Sequence, residues 1–174
     1  MEQTDWCVIT GAPCSGKTSV VRELQRRGHR IVDEVARSFI DAELAKGRSL
    51  KEIKADVLSF ERDILKRKLD IETTLPADEL VFLDRAVPDS IAYFLLEGLD
   101  PVEPLMKGRI FRYRRIFLFD RLLIEHDRVR SENDAMAARI DSLLENAYRS
   151  LEYDVLRIPV LPVAQRTDYI LRHL

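Results

Sequence analysis

The chain has little of what builds metal centres, disulfide frameworks or flexible tracts. Only two of its 174 residues are cysteine, Cys7 and Cys14, and the three histidines, His29, His126 and His173, form no ligand-spaced pair. Two thiols cannot close a four-ligand zinc site, so both cysteines read as reduced and no metal centre built from protein side chains alone is expected. With six Gly and seven Pro against 46% hydrophobic residues, neither a disordered nor a collagen-like chain fits. An excess of charge of one sign is also missing. Lys and Arg number 28 against 30 Asp and Glu, a net charge of −2, which leaves no global field to hold nucleic acid, so no nucleic-acid partner is expected. The longest unbroken apolar run, Ile91–Leu96, falls far short of the ~20 residues that cross a bilayer, and no membrane span is expected. Met1–Asp5 has neither the positive start nor the apolar run of a secretory signal, and the tail has no prenylation cysteine, so a cytoplasmic location follows as the default. The length suits one domain, 1–174, with a core of its own.

What is present is a regular alternation of short apolar runs and amphipathic stretches. Trp6–Thr10 reads as a strand ending at glycine, and Ser19–Arg27 as a helix with Val20, Val21 and Leu24 on one face. Gly28 stops that helix, and His29–Val32 makes a second strand delivering Asp33 and Glu34 at its carboxyl end. A helix over Val35–Lys46 follows. Ser49 and Glu52 then form a capping-box pattern opening a long helix to about Thr74, with Leu50, Ile53, Val57, Phe60 and Ile64 as its buried stripe and a charged opposite face. Leu80–Asp84 and Ile116–Asp120 are nearly all apolar and end in an acid, the pattern of strands buried on both sides. Between them lie a helix over Val87–Gly98 and a proline-bounded connector, Asp100–Gly108. A polar loop, Arg121–Asn133, precedes a helix carrying Met136, Ile140, Leu143, Leu144, Ala147 and Tyr148. Val155–Ile158 is a fifth strand, and Val163–Leu174 closes the chain. Such alternation predicts a three-layer α/β/α fold with a five-stranded parallel sheet, because each crossover lays a helix across the sheet.

Gly11–Thr18, with Gly16, Lys17 and Thr18 at its end, matches the phosphate-loop pattern and lies between an apolar strand and an amphipathic helix, the context that pattern requires. Glycines let main-chain amides turn inward toward phosphate oxygens, and the helix amino terminus favours an anion. The predicted nucleotide cradle is Gly11, Ala12, Pro13, Cys14, Ser15, Gly16, Lys17, Thr18 and Ser19. Lys17 supplies charge to the terminal phosphates, and the Thr18 hydroxyl a ligand for Mg²⁺. Asp84, at the end of a buried strand, is the candidate second support for Mg²⁺; the alternative is an aspartate that only caps the next helix.

A phosphate loop leaves kinases, switches and motor ATPases open. Three groups of charge point to phosphoryl transfer. Glu34 and Arg37, with Asp33 beside them, stand at the strand end next to the expected terminal phosphate, where a carboxylate can take the proton of an acceptor hydroxyl; a surface ion pair opening a helix is the competing reading. Arg85 follows Asp84 directly and can hold the acceptor or spread transition-state charge. Arg121, Arg128 and Arg130 punctuate the polar loop and, on closure, could serve as a cationic lid, or else are solvated loop charges.

The segments Val8–Thr18, Asp33–Arg37, Phe82–Tyr93 and Asp127–Arg130 resemble the small AAA-type ATP-binding proteins related to ribosylnicotinamide kinase domains and, more distantly, to thymidylate and deoxynucleoside kinases. The resemblance runs over nearly the whole chain. It implies sheet order 2-3-1-4-5, Glu34 as the acceptor-side acid, Asp84 on the magnesium side, Arg85 as a phosphate contact, and Arg128 with Arg130 as lid arginines. ATP is the default nucleotide, since the chain has no Asn-Lys-x-Asp tetrad to read guanine, and Mg²⁺ the expected metal; the expected partner is a small nucleoside- or nucleotide-like acceptor, the chain a monomer or homodimer, and despite the family's label no ring assembly is expected. The catalytic set expected is therefore Lys17, Glu34, Arg85, Arg128 and Arg130, with Asp33, Glu34, Arg37 and Arg85 toward the acceptor. The rival function is a nucleotide-dependent binding or switch protein with little catalysis. A Glu34 facing a cavity favours transfer; a Glu34 buried against Arg37 without a cavity favours the switch.

Overall fold

Alternate residues of each central strand face opposite helical layers, and this two-residue period organises the molecule. A computed structural model describes residues 1–122 and 130–174, with residues 130–134 as helical backbone only. The strands are β1 (Glu2–Gln3), β2 (Cys7–Thr10), β3 (Arg30–Val32), β4 (Val81–Asp84), β5 (Phe111–Arg112), β6 (Arg115–Phe119) and β7 (Val155–Ile158); the helices are α1 (Lys17–Arg26), α2 (Val35–Ala45), α3 (Leu50–Ile53), α4 (Val57–Glu72), α5 (Asp89–Leu96), α6 (Val102–Lys107), α7 (Arg130–Ser150) and α8 (Val163–Arg172).

Five parallel strands lie in the order β3-β4-β2-β6-β7, the 2-3-1-4-5 arrangement expected for the five sheet strands. Trp6, Val8, Val81, Leu83, Ile116 and Leu118 point to one face and pack under Ile91 and Ala92 of α5 and Ile140, Leu144, Ala147 and Tyr148 of α7. Cys7, Ile9, Phe82, Phe117 and Phe119 point to the other, beneath Val20, Val21 and Leu24 of α1 and Ile170 of α8. Both faces are thus apolar, which is why β4 and β6 read as near-continuous hydrophobic runs. The Cys7 thiol, sealed in this core, is pushed up to about 12 by burial, and no chemistry follows from it.

The structure departs from the expected elements in several places. The long helix after Ser49 is two helices. The Ser49–Glu52 capping box is present, but the helix it opens runs only from Leu50 to Ile53. A second start follows at once: the Asp56 carboxylate accepts from Ser59 N at 3.0 Å and Ser59 Oγ at 2.7 Å, capping α4. The hydrophobic spacing runs through the break, so periodicity conceals it. The charged face of α4 is also not all solvated, since Glu61, Lys68 and Glu72 are buried. The 100–108 connector contains α6, and β1 pairs in parallel with β5 in a small separate ladder. α7 begins at Arg130, inside the segment expected to be loop. No helix among the described residues is long and apolar enough to cross a membrane.

Candidate nucleotide and acceptor site

The carboxyl ends of β2, β3 and β4 meet at one edge of the sheet. β2 leads into the loop 11–18, and α1 starts at its end with Gly16 as N-cap, φ 85°, and no side-chain cap. The first-turn amides of α1 are therefore left for an anion. Gly11 has φ 144°, and a Cβ there would lie 3.0 Å from the Phe119 carbonyl oxygen, so the tight passage beside β6 admits only glycine. Cys14 is exposed in the loop, with φ 60°.

Lys17 lies folded over this loop. Its ammonium donates to Gly11 O at 2.8 Å, Ala12 O at 2.9 Å and Ser15 Oγ at 3.2 Å, which uses all three N–H groups. Burial, and then the nearby Arg85 cation, lowers its pKa to about 7. Thr18 and Ser19 are exposed on the following turn. Asp84 is buried at the end of β4 with its Oδ1 unpartnered among the described residues, and burial, then the Glu34 carboxylate, raises its pKa to about 6. A carboxylate this costly, held beside a phosphate loop, fits a place for a cation. Among the described residues no cluster of three or more protein ligands exists, so a metal here would be completed by phosphate oxygens and water.

Arg85 links the loop to the neighbouring cavity. Its guanidinium donates to Gly11 O at 3.1 Å, to Glu34 Oε1 at 3.0 Å and to Asp89 Oδ1 at 3.2 Å, and its own N–H donates to Ile9 O at 3.0 Å. Its φ is 69°, a left-handed conformation costly for a side-chain-bearing residue and held here by these bonds. Burial opposes the cation, but Tyr93, Asp89 and Glu34 more than offset it, and the net direction is upward.

Glu34 is the N-cap residue of α2 by position, yet its side chain makes no cap hydrogen bond. It lies instead on the wall of a cavity of about 480 Å³ shared by α2, α4 and α5, where Ile40, Phe60, Ile64 and Tyr93 supply apolar surface and Lys68 and Arg85 supply cations. The volume falls in the range of small-molecule sites. Arg37 lines the cavity too, but its contact with Glu34 is long, 3.9 Å, and its side chain is 68% exposed. Asp33 is exposed and does not line the cavity. Arg128 lies outside the described residues, as does the side chain of Arg130; only that residue's place at the start of α7 is described.

Two functional-looking residues were not singled out by the sequence reading. Asp89, in α5, is fully buried: Oδ1 accepts from Thr10 Oγ1 at 2.5 Å and from Arg85, and Oδ2 accepts from Ala86 N at 3.0 Å and from the Tyr148 hydroxyl. It thereby fixes Arg85 at (i, i+4) from below, a spacing visible in Asp84–Asp89. Arg166, 2% exposed, donates from Nη1 to Ser15 O at 2.6 Å, while Nε and Nη2 are buried with no hydrogen-bond partner among the described residues. Its signal was a charged residue in phase with the apolar stripe of α8, beside Thr167 and four residues before Ile170.

A family model described as an AAA domain matches residues 6–166. No curated protein matches the sequence. Among solved structures, a NadR protein in complex with NR is 18% identical, with a TM-score of 0.72, over 97% of this chain and 49% of that one, so the present chain spans about half its length. A thymidylate kinase from Ehrlichia chaffeensis is 13% identical with a TM-score of 0.69, covering 99% and 98% of the two chains. A deoxyadenosine kinase from M. mycoides with products dcmp and a flexible dcdp bound is 16% identical with a TM-score of 0.64, covering 97% of each. At these identities the likeness is one of fold. The chain belongs to the AAA domain family and has the three-layer phosphate-loop fold of nucleoside and nucleotide kinases.

Proposed function

We propose that this protein is a magnesium-dependent phosphotransferase that moves the terminal phosphate of ATP to a small nucleoside- or nucleotide-like acceptor held in the α2–α4–α5 cavity. One observation carries the reading: Arg85 donates both to the phosphate-loop carbonyl of Gly11 and to Glu34, which lines the cavity, so donor and acceptor sides meet at a single guanidinium. The switch alternative called for Glu34 buried against Arg37 with no cavity, and neither condition describes this site.

In this reading the 11–18 amides and the α1 amino terminus bind the phosphates. Lys17 exchanges its bonds to Gly11 and Ala12 carbonyls for phosphate oxygens, regaining a full charge partner. Thr18 and Asp84 are the residues that would hold Mg²⁺, and the unpartnered Asp84 Oδ1 is what fits them to it. The metal, when bound, offsets phosphate charge. Glu34 receives the proton of the acceptor hydroxyl at its carboxylate, and Arg85, kept ionised, orients Glu34 and faces the transferred group. Arg128 and Arg130 are proposed to close over the phosphates as lid cations, and Asp33 and Arg37 to border the acceptor entrance. Residues 1–174 are proposed to form one domain, acting in the cytoplasm.

The test is a screen with labelled ATP and Mg²⁺ against nucleosides, nucleotides and ribosides. Transfer to at least one of them, abolished by chelator, is expected; nucleotide binding without transfer to any would favour the switch.

A further inference from the structure

Lys68 is a buried ammonium that forms no ion pair among the described residues, although the Asp89, Glu61 and Glu72 carboxylates act on it from farther away. On α4 it follows Glu61 and Ile64 at spacings of seven and four, so all three share the helix face that walls the acceptor cavity. It is 4% exposed, and its Nζ makes one hydrogen bond among the described residues, to the neutral Ser90 Oγ at 3.1 Å. Two of its three N–H groups are unaccounted for.

The carboxylates around it are engaged elsewhere. Asp89 already accepts two hydrogen bonds on each oxygen, from Thr10 and Arg85 and from Ala86 and Tyr148. Glu72 accepts from Val87 N at 2.9 Å and the Tyr113 hydroxyl at 2.6 Å. Glu61, on the same wall, makes no ion pair with Lys68, and Arg85 adds a second cation to the surroundings. Burial, with the Arg85 cation, lowers the Lys68 pKa by more than the Asp89, Glu61 and Glu72 carboxylates raise it. An anionic ligand in the cavity would supply the direct charge partner and the hydrogen-bond acceptors that the fold leaves out.

Resting on the proposed phosphotransfer, we infer that the acceptor carries an anionic oxygen group, carboxylate or phosphate, which pairs with Lys68 inside the cavity. The protein is then selective for acidic acceptors over neutral ones of the same size.

Calorimetric titration of the full chain, loaded with Mg²⁺ and a non-hydrolysable ATP analogue, tests this with twins that differ by one anionic group. Thymidine against thymidine 5′-monophosphate is the phosphate arm, and uridine against orotidine the carboxylate arm. At least one acidic twin should bind tenfold or more tightly than its neutral partner. Lys68→Met should shrink that preference to within about twofold, and Lys68→Arg should keep it. The Met variant should melt at the same temperature as the wild type or higher, since it removes a buried ammonium that forms no direct ion pair among the described residues while filling similar volume. No preference in either arm, a preference that survives Lys68→Met, or a marked fall in melting temperature would overturn the inference. Transfer is read separately. Acid-selective binding without transfer sinks the phosphotransferase reading alone, and Lys68-independent transfer to neutral acceptors sinks this inference alone.

Discussion

Arg166 Nη1 donates to the Ser15 carbonyl across 2.6 Å, joining α8 to the phosphate loop over 151 residues of sequence. That bond ties the loop's Ser15 carbonyl to a buried cation of α8. The guanidinium also lies 3.1 Å from where a Gly16 Cβ would stand and 5.3 Å from the Phe119 ring centroid, so it packs as well as bonds. Arg166→Met should weaken ADP binding about tenfold, the worth of one such hydrogen bond, and AMP binding much less, since the cradle serves the outer phosphates. Equal losses for the two nucleotides would assign Arg166 to general packing.

Lys17→Ala should remove the charge partner of the terminal phosphates and lower nucleotide affinity at least tenfold, and the wild type should bind nucleotide more tightly with Mg²⁺ than with chelator. Calorimetry checks both. Unchanged affinity in the variant would refute the role given to Lys17, and indifference to the metal would count against Thr18 and Asp84.

Glu34→Gln keeps an oxygen for the Arg85 hydrogen bond but cannot accept a proton. Nucleotide affinity should stay within about twofold while transfer falls about 10²–10⁴-fold, the usual share of a general base. Equal rates in both proteins would remove Glu34 from that role.

Glu72 is fully buried between Val87 N and the Tyr113 hydroxyl, and burial raises its pKa from 4.5 to about 7. The folded state therefore holds a proton that the unfolded chain releases, and this group's stabilisation is complete below pH 4.5 and is lost as pH rises toward 7. Denaturant unfolding of the wild type and Glu72→Gln across that window should show the wild type losing stability relative to the variant. The slope cannot exceed about 1.4 kcal/mol per pH unit for one proton. Parallel curves would place the ionisation of Glu72 elsewhere.

Local signals carried much of this. The Gly11–Thr18 pattern, the apolar runs of β4 and β6 and the acids at or just after their ends are short-range features, so the parallel strands and the phosphate loop were legible in the sequence, whereas the sheet order came from the family resemblance. The split between α3 and α4 was not, because Leu50, Ile53, Val57, Phe60 and Ile64 keep one phase across it. Only the cap from Asp56 to Ser59 reveals the second start.

Sequence spacing sets what a residue can do with neighbours three or four positions away, and that was enough to place Lys17 in its loop and Arg85 directly after Asp84. Folding alone brought Arg85 to Glu34, Arg166 to Ser15, and Lys68 to a cavity wall with Ser90 as its one hydrogen-bond partner among the described residues. Burial and the positions of distant charges decide whether a carboxylate or ammonium is solvated or stranded, and those depend on how helices α2, α4 and α5 pack across the sheet edge.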